Sequence, residues 1–135
     1  MRCAEAIVKV SSVLNRDTKQ FGKKHLFDGD EETCWNSDQG SPQWIMLEFA
    51  DPVTVNAVHI QFQGGFVGRE CYVETTAAKE QPFKNVGDFF PEDINKLQTF
   101  QLHSTPNEKV KLVKIVFKNS TDFFGRVTIY KLDLT

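Results

Sequence analysis

The run Val58-His59-Ile60-Gln61-Phe62-Gln63 alternates apolar and polar residues with a period of two. Successive side chains of a strand point to opposite faces, so as a strand this run has one dry face and one wet face, whereas in a helix the same alternation would scatter the apolar residues around the axis. Gly64 and Gly65 end it. Similar short apolar runs recur along the chain. Ile7, Val8, Val10 and Val13 read as a first strand, and Trp44 to Phe49 as the next, with Pro52 marking the break after it. Cys71, Val73 and Thr75 follow, then Asn85 to Phe90 stopped by Pro91, then Leu97, Phe100 and Leu102. Val110, Leu112, Val113, Ile115 and Phe117 form a strong strand, and Val127, Ile129, Leu132 and Leu134 close the chain. Asn15 to Lys24 reads as a loop with a helical turn, residues 77–84 as a loop, and Asn119 to Gly125 as a turn. No segment carries a sustained 3.6-residue apolar stripe with caps. About eight short strands separated by turn signals predict an all-β, antiparallel jelly-roll β-sandwich, one domain over residues 1–135.

Bulk properties narrow the partners. The 135 residues carry 16 Lys and Arg against 18 Asp and Glu, a net charge of −2, so no global basic bias recommends nucleic acid or an anionic membrane. The local basic cluster Arg16, Lys19, Lys23, Lys24 and His25, and the lysines between 109 and 118, read as solvated faces. Cys3, Cys34 and Cys71 are odd in number and widely spaced, with no CxxC pair, which argues against zinc. With no signal-peptide pattern and no apolar stretch approaching a membrane span, the expectation is an intracellular chain with free thiols.

The stretch Phe27 to Phe49, FDGDEETCWNSDQGSPQWIMLEF, combines an Asp-Gly turn, an acidic tract and two tryptophans nine residues apart. It predicts an ordered loop pinned to a sheet by Trp35 and Trp44 as core anchors. LFDGDEETCW followed by QWIMLEF resembles the galactose-binding-like jelly roll of the discoidin family, which includes the type C domains of coagulation factors. Gln63-Gly64 and the Arg-led run Arg126 to Tyr130 fit the same resemblance. WNSDQGSPQWIMLEF is also similar to the Doc-type domain of the anaphase-promoting ubiquitin ligase. The details VLNR, QFGKKHLFD, ETCWNSDQG and TDFFGRV resemble a small vertebrate branch of the family that associates with an orphan nuclear receptor. That branch implies a nuclear, non-enzymatic protein whose partner is the receptor and whose effect is repression of receptor-driven transcription. A monomer is expected, and the charge balance predicts no direct nucleic-acid contact and no membrane. Fold analogy keeps a carbohydrate-binding module, and a Doc-like peptide or degron receptor, as alternatives.

Two departures from the family stand out. Secreted discoidin domains tie their termini with a disulfide, whereas Lys131 to Thr135 contains no cysteine to pair with Cys3. Sugar-binding relatives often hold a structural calcium with the Asp-Gly loop and a glutamate on the last strand, a position that Arg126 occupies by resemblance. Asp28, Asp30 and Thr33 are therefore read as bonding their own loop, with Arg126 as a candidate partner for the acidic tract and no metal or other cofactor expected.

No HExxH, GxSxG or paired-carboxylate motif accompanies His25, His59 or His103, so no catalytic residue is predicted. Cys34, between Thr33 and Trp35, is expected to be buried. The candidate partner-binding residues are Asp38 and Gln39 in the loop 36–41, Phe66 and Arg69 in 62–69, and Thr121, Asp122, Phe123 and Phe124 in 119–125. Adjacent phenylalanines in a turn are costly to expose. One is read as folding inward and the other as an anchor for a partner, against a reading in which the loop plugs the barrel end.

Overall fold

The structure is a computed structural model that describes residues 3–103 and 107–135. The described residues form nine strands: β1 Ile7–Val10, β2 Trp35–Asn36, β3 Gln43–Val53, β4 Ala57–Phe62, β5 Cys71–Thr76, β6 Lys84–Phe89, β7 Leu97–Gln101, β8 Val110–Phe117 and β9 Thr128–Leu134. They build two antiparallel sheets, one ordered β1-β3-β8-β5-β6 and the other β2-β9-β4-β7. This is the expected antiparallel sandwich. The alternation read at Val58 to Phe62 holds: Val58, Ile60 and Phe62 are buried, while His59 and Gln61 are half-exposed. On the outer face His59 lies 2.8 Å from both the Thr99 and the Thr135 hydroxyls.

The core between the sheets is aromatic at one end. Trp35 and Phe62 both meet Phe117, at centroid distances of 6.4 and 5.9 Å, the second edge to face. Such pairs add about 0.5–1.5 kcal/mol beyond the area they bury. Trp35 is fully buried and donates its indole N–H to the Ser12 carbonyl at 3.0 Å. That bond ties the chain after β1 to the strand that carries Trp35.

The structure corrects two local expectations, at Pro52 and at Trp44, and adds detail to the rest. Pro52 does not end a strand but lies inside β3, where the register against β8 shifts between Glu48 and Val53, so no ladder bond is asked of its missing N–H. The helical turn expected within Asn15 to Lys24 is present as a short helix, α1 (Thr18–Phe21), between 3₁₀ turns at Leu14–Arg16 and Lys23–Leu26. β2 has only two residues, too few for any periodicity to betray it. Trp44 is not a core anchor. It faces outward on β3, half-buried, with the Lys114 ammonium 5.2 Å from its ring centroid.

Candidate partner-binding site

The strand pairings Asn36 with Thr128, Gln43 with Phe117, Cys71 with Phe89 and Phe117, Phe62 with Ile129, and Gln61 with Leu97 bring four connections to one end of the sandwich. These are residues 37–42, 63–70, 90–96 and 118–127. The crown they form is fastened by buried polar groups, because loop backbone that packs against itself loses water and must find protein partners.

Gln43, 4% exposed, is the anchor of the first loop. Its side-chain N–H groups donate to the carbonyls of Asp38 (3.2 Å) and Gly40 (2.8 Å), and its oxygen accepts from the hydroxyls of Ser11 and Ser12. The Ser12 hydroxyl also accepts the Asp38 N–H at 2.9 Å. Ser37, fully buried, joins this loop to the last: its N–H donates to the Val127 carbonyl and its hydroxyl accepts the Val127 N–H. The loop around Val67 and the loop around Thr121 are also cross-linked. Thr121 N–H donates to the Val67 carbonyl at 2.8 Å, and the Thr121 hydroxyl accepts the Val67 N–H at 3.0 Å. Asn119 accepts the Glu70 N–H and donates to the Glu70 carboxylate. Residues 90–96 add the Asn95 side-chain oxygen, which accepts the Gly64 N–H, and the Asp93 carboxylate, which accepts the Gly65 N–H.

Gly125 is the tightest point. Its φ is +83°, and a Cβ there would sit 2.8 Å from the backbone carbon and oxygen of Gly40, whose N–H donates to the Phe124 carbonyl. Gly125→Ala should therefore destabilise the fold by about 1–3 kcal/mol from left-handed strain alone, with the clash adding to it. Thermal unfolding measures this, and an unchanged midpoint would contradict the close approach.

At the surface of the crown, Arg126 clamps Asp122. Nε and Nη2 reach the two carboxylate oxygens at 2.9 and 3.2 Å, and the Arg126 N–H adds a third bond at 3.1 Å. The same guanidinium lies 5.1 Å from the Phe66 ring and 5.7 Å from the Phe124 ring, within cation–π range. The side-chain hydrogen bond from Arg126 holds the Asp122 carboxyl below its ordinary value and raises the guanidinium in turn. A depressed folded-state value means that the stabilisation is complete above the unfolded carboxyl's pKa, about 3.9, and is lost as pH falls through the folded value. The midpoint of Asp122→Asn should thus fall less than that of the parent as pH drops through that window. Parallel midpoint–pH curves for the two proteins would contradict the pairing.

Phe123 is 93% exposed and Phe124 53%, and the two rings meet edge to face at 5.3 Å. Neither folds into the core, which corrects the expectation that one would: the bonds of Gly40 and Asp122 direct the turn outward. Gln39 and Arg69 are exposed in the neighbouring loops 37–42 and 63–70. Phe66 and Asp38 are half-buried, and Asp38 bonds the neighbouring Gln39 N–H. Thr121 and Asp122 turn their polar atoms inward and set the loop's shape. All eight candidate residues thus belong to one end. Sequence reasoning missed Gln43 and Ser37, whose role depends on contacts with distant residues, and Phe90, which is 66% exposed at the same end. The Phe-Pro step at 90–91 was its only signal.

The Asp-Gly loop lies elsewhere and is closed on itself. Asp28 accepts from the Thr33 hydroxyl and the Asp30 N–H and contacts His25 at 3.1 Å, while Asp30 accepts the Glu32 N–H. Although desolvation opposes it, the bonds from Thr33, Asp30 and His25 keep the Asp28 carboxyl below its usual range. Arg126 does not neutralise this tract; it pairs within its own loop. No three His, Cys, Asp or Glu side chains among the described residues are grouped to hold a metal, and these carboxylates do not gather the oxygens calcium needs. Cys3 and Cys71 are buried and free, and Cys34 is free and only half-buried, against expectation. Burial pushes the Cys3 thiol up to about 11 and raises Cys34 and Cys71 as well, so these thiols stay protonated.

Two facing antiparallel sheets with loop connections gathered at one end define a discoidin-like, galactose-binding-like module. Residues 7–132 match the F5/8 type C domain family, to which the chain belongs. It is 53% identical over 132 residues to the nuclear receptor 2C2-associated protein of Danio rerio, covering 98% of this chain and 92% of the relative. It is 55% identical over 130 residues to the protein of the same name from Homo sapiens, covering 96% and 91%. Among solved structures, an F5/8 type C domain from Bacteroides fragilis superposes with a TM-score of 0.83 at 17% identity, covering 99% of this chain and 92% of that one. A family 32 carbohydrate-binding module from Clostridium perfringens, solved with galactose, gives 0.77 at 16% identity, covering 97% and 93%. At such identities the solved structures speak for the fold alone.

Proposed function

We propose that this chain is a non-enzymatic module that binds a nuclear receptor through the crown, with Phe123 as the central anchor. The observation that carries the reading is an almost fully exposed phenylalanine held on a loop that the 37–42 and 63–70 loops fasten. Exposing a large ring is unfavourable in the free protein and rewarding when a partner covers it, and a pre-ordered loop adds little entropy cost on binding. The relatives' name supports a receptor as that partner. Phe124, Phe66 and the Arg126–Asp122 pair surround the anchor, Gln39 and Arg69 form its rim, and Asp38 and Thr121 hold the loops in place. The protein works as a monomer in the nucleus. It represses receptor-driven transcription by occluding the receptor's DNA-binding or coactivator surface, without touching DNA.

The tryptophans give a sugar no platform at the crown: Trp35 is buried, and Trp44 lies on β3 outside the crown with Lys114 over its ring. Affinity capture from nuclear extract tests the proposal. The parent bait should recover a nuclear receptor, and a bait carrying Phe123→Ala and Phe124→Ala should not. Equal recovery by both baits, release of the receptor by free galactose, or steeply salt-dependent DNA binding by the purified chain would contradict it.

A further inference from the structure

A second surface lies outside the crown, on the outer side of the β1 edge. A groove of about 660 Å³ runs between β1 and the short helical turns that follow it. Val10, Val13 and Trp44 give it apolar walls, and Lys9, Lys19, Lys23 and Lys24 stand around them. The local fold gathers these lysines. Asp17 caps α1 by accepting the Gln20 N–H at 3.1 Å. At Gly22 the chain passes so close to Thr18 that a Cβ would lie 2.2 Å from its carbonyl oxygen, and the next turn begins at once with Lys23. The two turns therefore pack tightly and bring Lys19, Lys23 and Lys24 to one groove.

The charge there is one-sided. Lys9, Lys19, Lys23 and Lys24 are exposed, and none has a carboxylate within ion-pair distance among the described residues. On the same sheet face Glu48 is already paired with Lys79 at 3.2 Å. Lys114 adds a further cation above Trp44. In a chain of net charge −2, such a concentration around an apolar floor is complementary to an anionic ligand with an apolar part.

We infer that this groove docks an acidic peptide segment bearing aliphatic side chains, with the aliphatic groups against Val10, Val13 and the Trp44 edge and the carboxylates among the lysines. A nucleic acid fits less well, because one face of Trp44 is taken by Lys114 and the remaining walls are valines, which leaves little aromatic surface for bases to stack on. The inference is independent of the crown.

The test uses the intact chain and a labelled peptide in which glutamates flank a pair of leucines. Trp35 is sealed in the core, so a change in emission on titration reports Trp44. Binding should weaken with salt, and Lys23→Glu with Lys24→Glu should lower affinity at least about tenfold, with the thermal midpoint preserved. Lys96→Glu, an exposed lysine near the crown, should bind as the parent does. Three results would overturn the inference: equal affinity for a peptide with glutamines in place of the glutamates, unchanged binding by the Lys23/Lys24 variant, or a single-stranded oligonucleotide that binds more tightly than the acidic peptide.

Discussion

Truncating Phe123 and Phe124 together to alanine should weaken the complex with a nuclear receptor by about a hundredfold or more, with the fold of the free chain intact. Anchors of an interface each contribute about 2 kcal/mol or more on truncation, and about 1.4 kcal/mol is a factor of ten. The free protein should lose little, because Phe123 is 93% exposed and Phe124 53%, its ring meeting Phe123 and the Arg126 guanidinium. The truncations remove exposed ring atoms and no backbone bond, so the cost to the free chain should stay within about 1 kcal/mol, provided the turn that closes at Gly125 keeps its backbone. Calorimetric titration and thermal unfolding of the same preparations separate the two effects. Weaker binding accompanied by a large fall in midpoint would place the phenylalanines in the fold; unchanged affinity would remove them from the interface.

The opposite pattern is expected at Trp35. Trp35→Ala should cost about 3–5 kcal/mol, since the indole is fully buried and the cavity left behind is large. That is a large share of the roughly 5–15 kcal/mol by which such domains are stable. The loss also reaches the crown. The indole N–H bonds the Ser12 carbonyl, and Ser12 in turn bonds Gln43 and the Asp38 N–H. Without the indole, the Ser12 carbonyl loses its donor and the first loop loses a fixed neighbour. Trp35→Phe keeps much of the apolar contact with Phe117 while dropping that bond, so it should fall between alanine and the parent. Urea unfolding of the three proteins orders them. A phenylalanine variant as unstable as the alanine one would mean that the hydrogen bond, not the buried ring, dominates.

The sandwich was readable chiefly because β4 alternates cleanly. Val58, Ile60 and Phe62 put their side chains where the second sheet must be, and period two admits only one such arrangement; β8 was readable as a β-branched apolar run, although Leu112 and Val116 turn to its other face. Pro52 misled, because a proline inside a run reads as a break unless the register shift beside it is known. Trp44 misled for a related reason. Composition makes any tryptophan look like core, but its place one residue after buried Gln43 on a pleated strand turns it outward. The crown was legible as a set of loops and as an exposed aromatic turn. Its fastening was not: Gln43, Ser37 and Ser12 carry no local pattern, and their bonds join residues up to 90 positions apart. Arg126 was legible as special, yet its partner, four residues earlier in its own turn, could be told from the acidic tract at 28–32 only by geometry.

Hydrogen exchange of the intact chain, with and without a purified nuclear receptor, bears most directly on the crown as the interface. Receptor addition should slow exchange of backbone amides in 37–42, 63–70 and 119–127, with the edges at β6 and β7 unchanged. Protection confined to the opposite end of the sandwich or to the groove beside β1, with the crown exchanging as in the free protein, would contradict it.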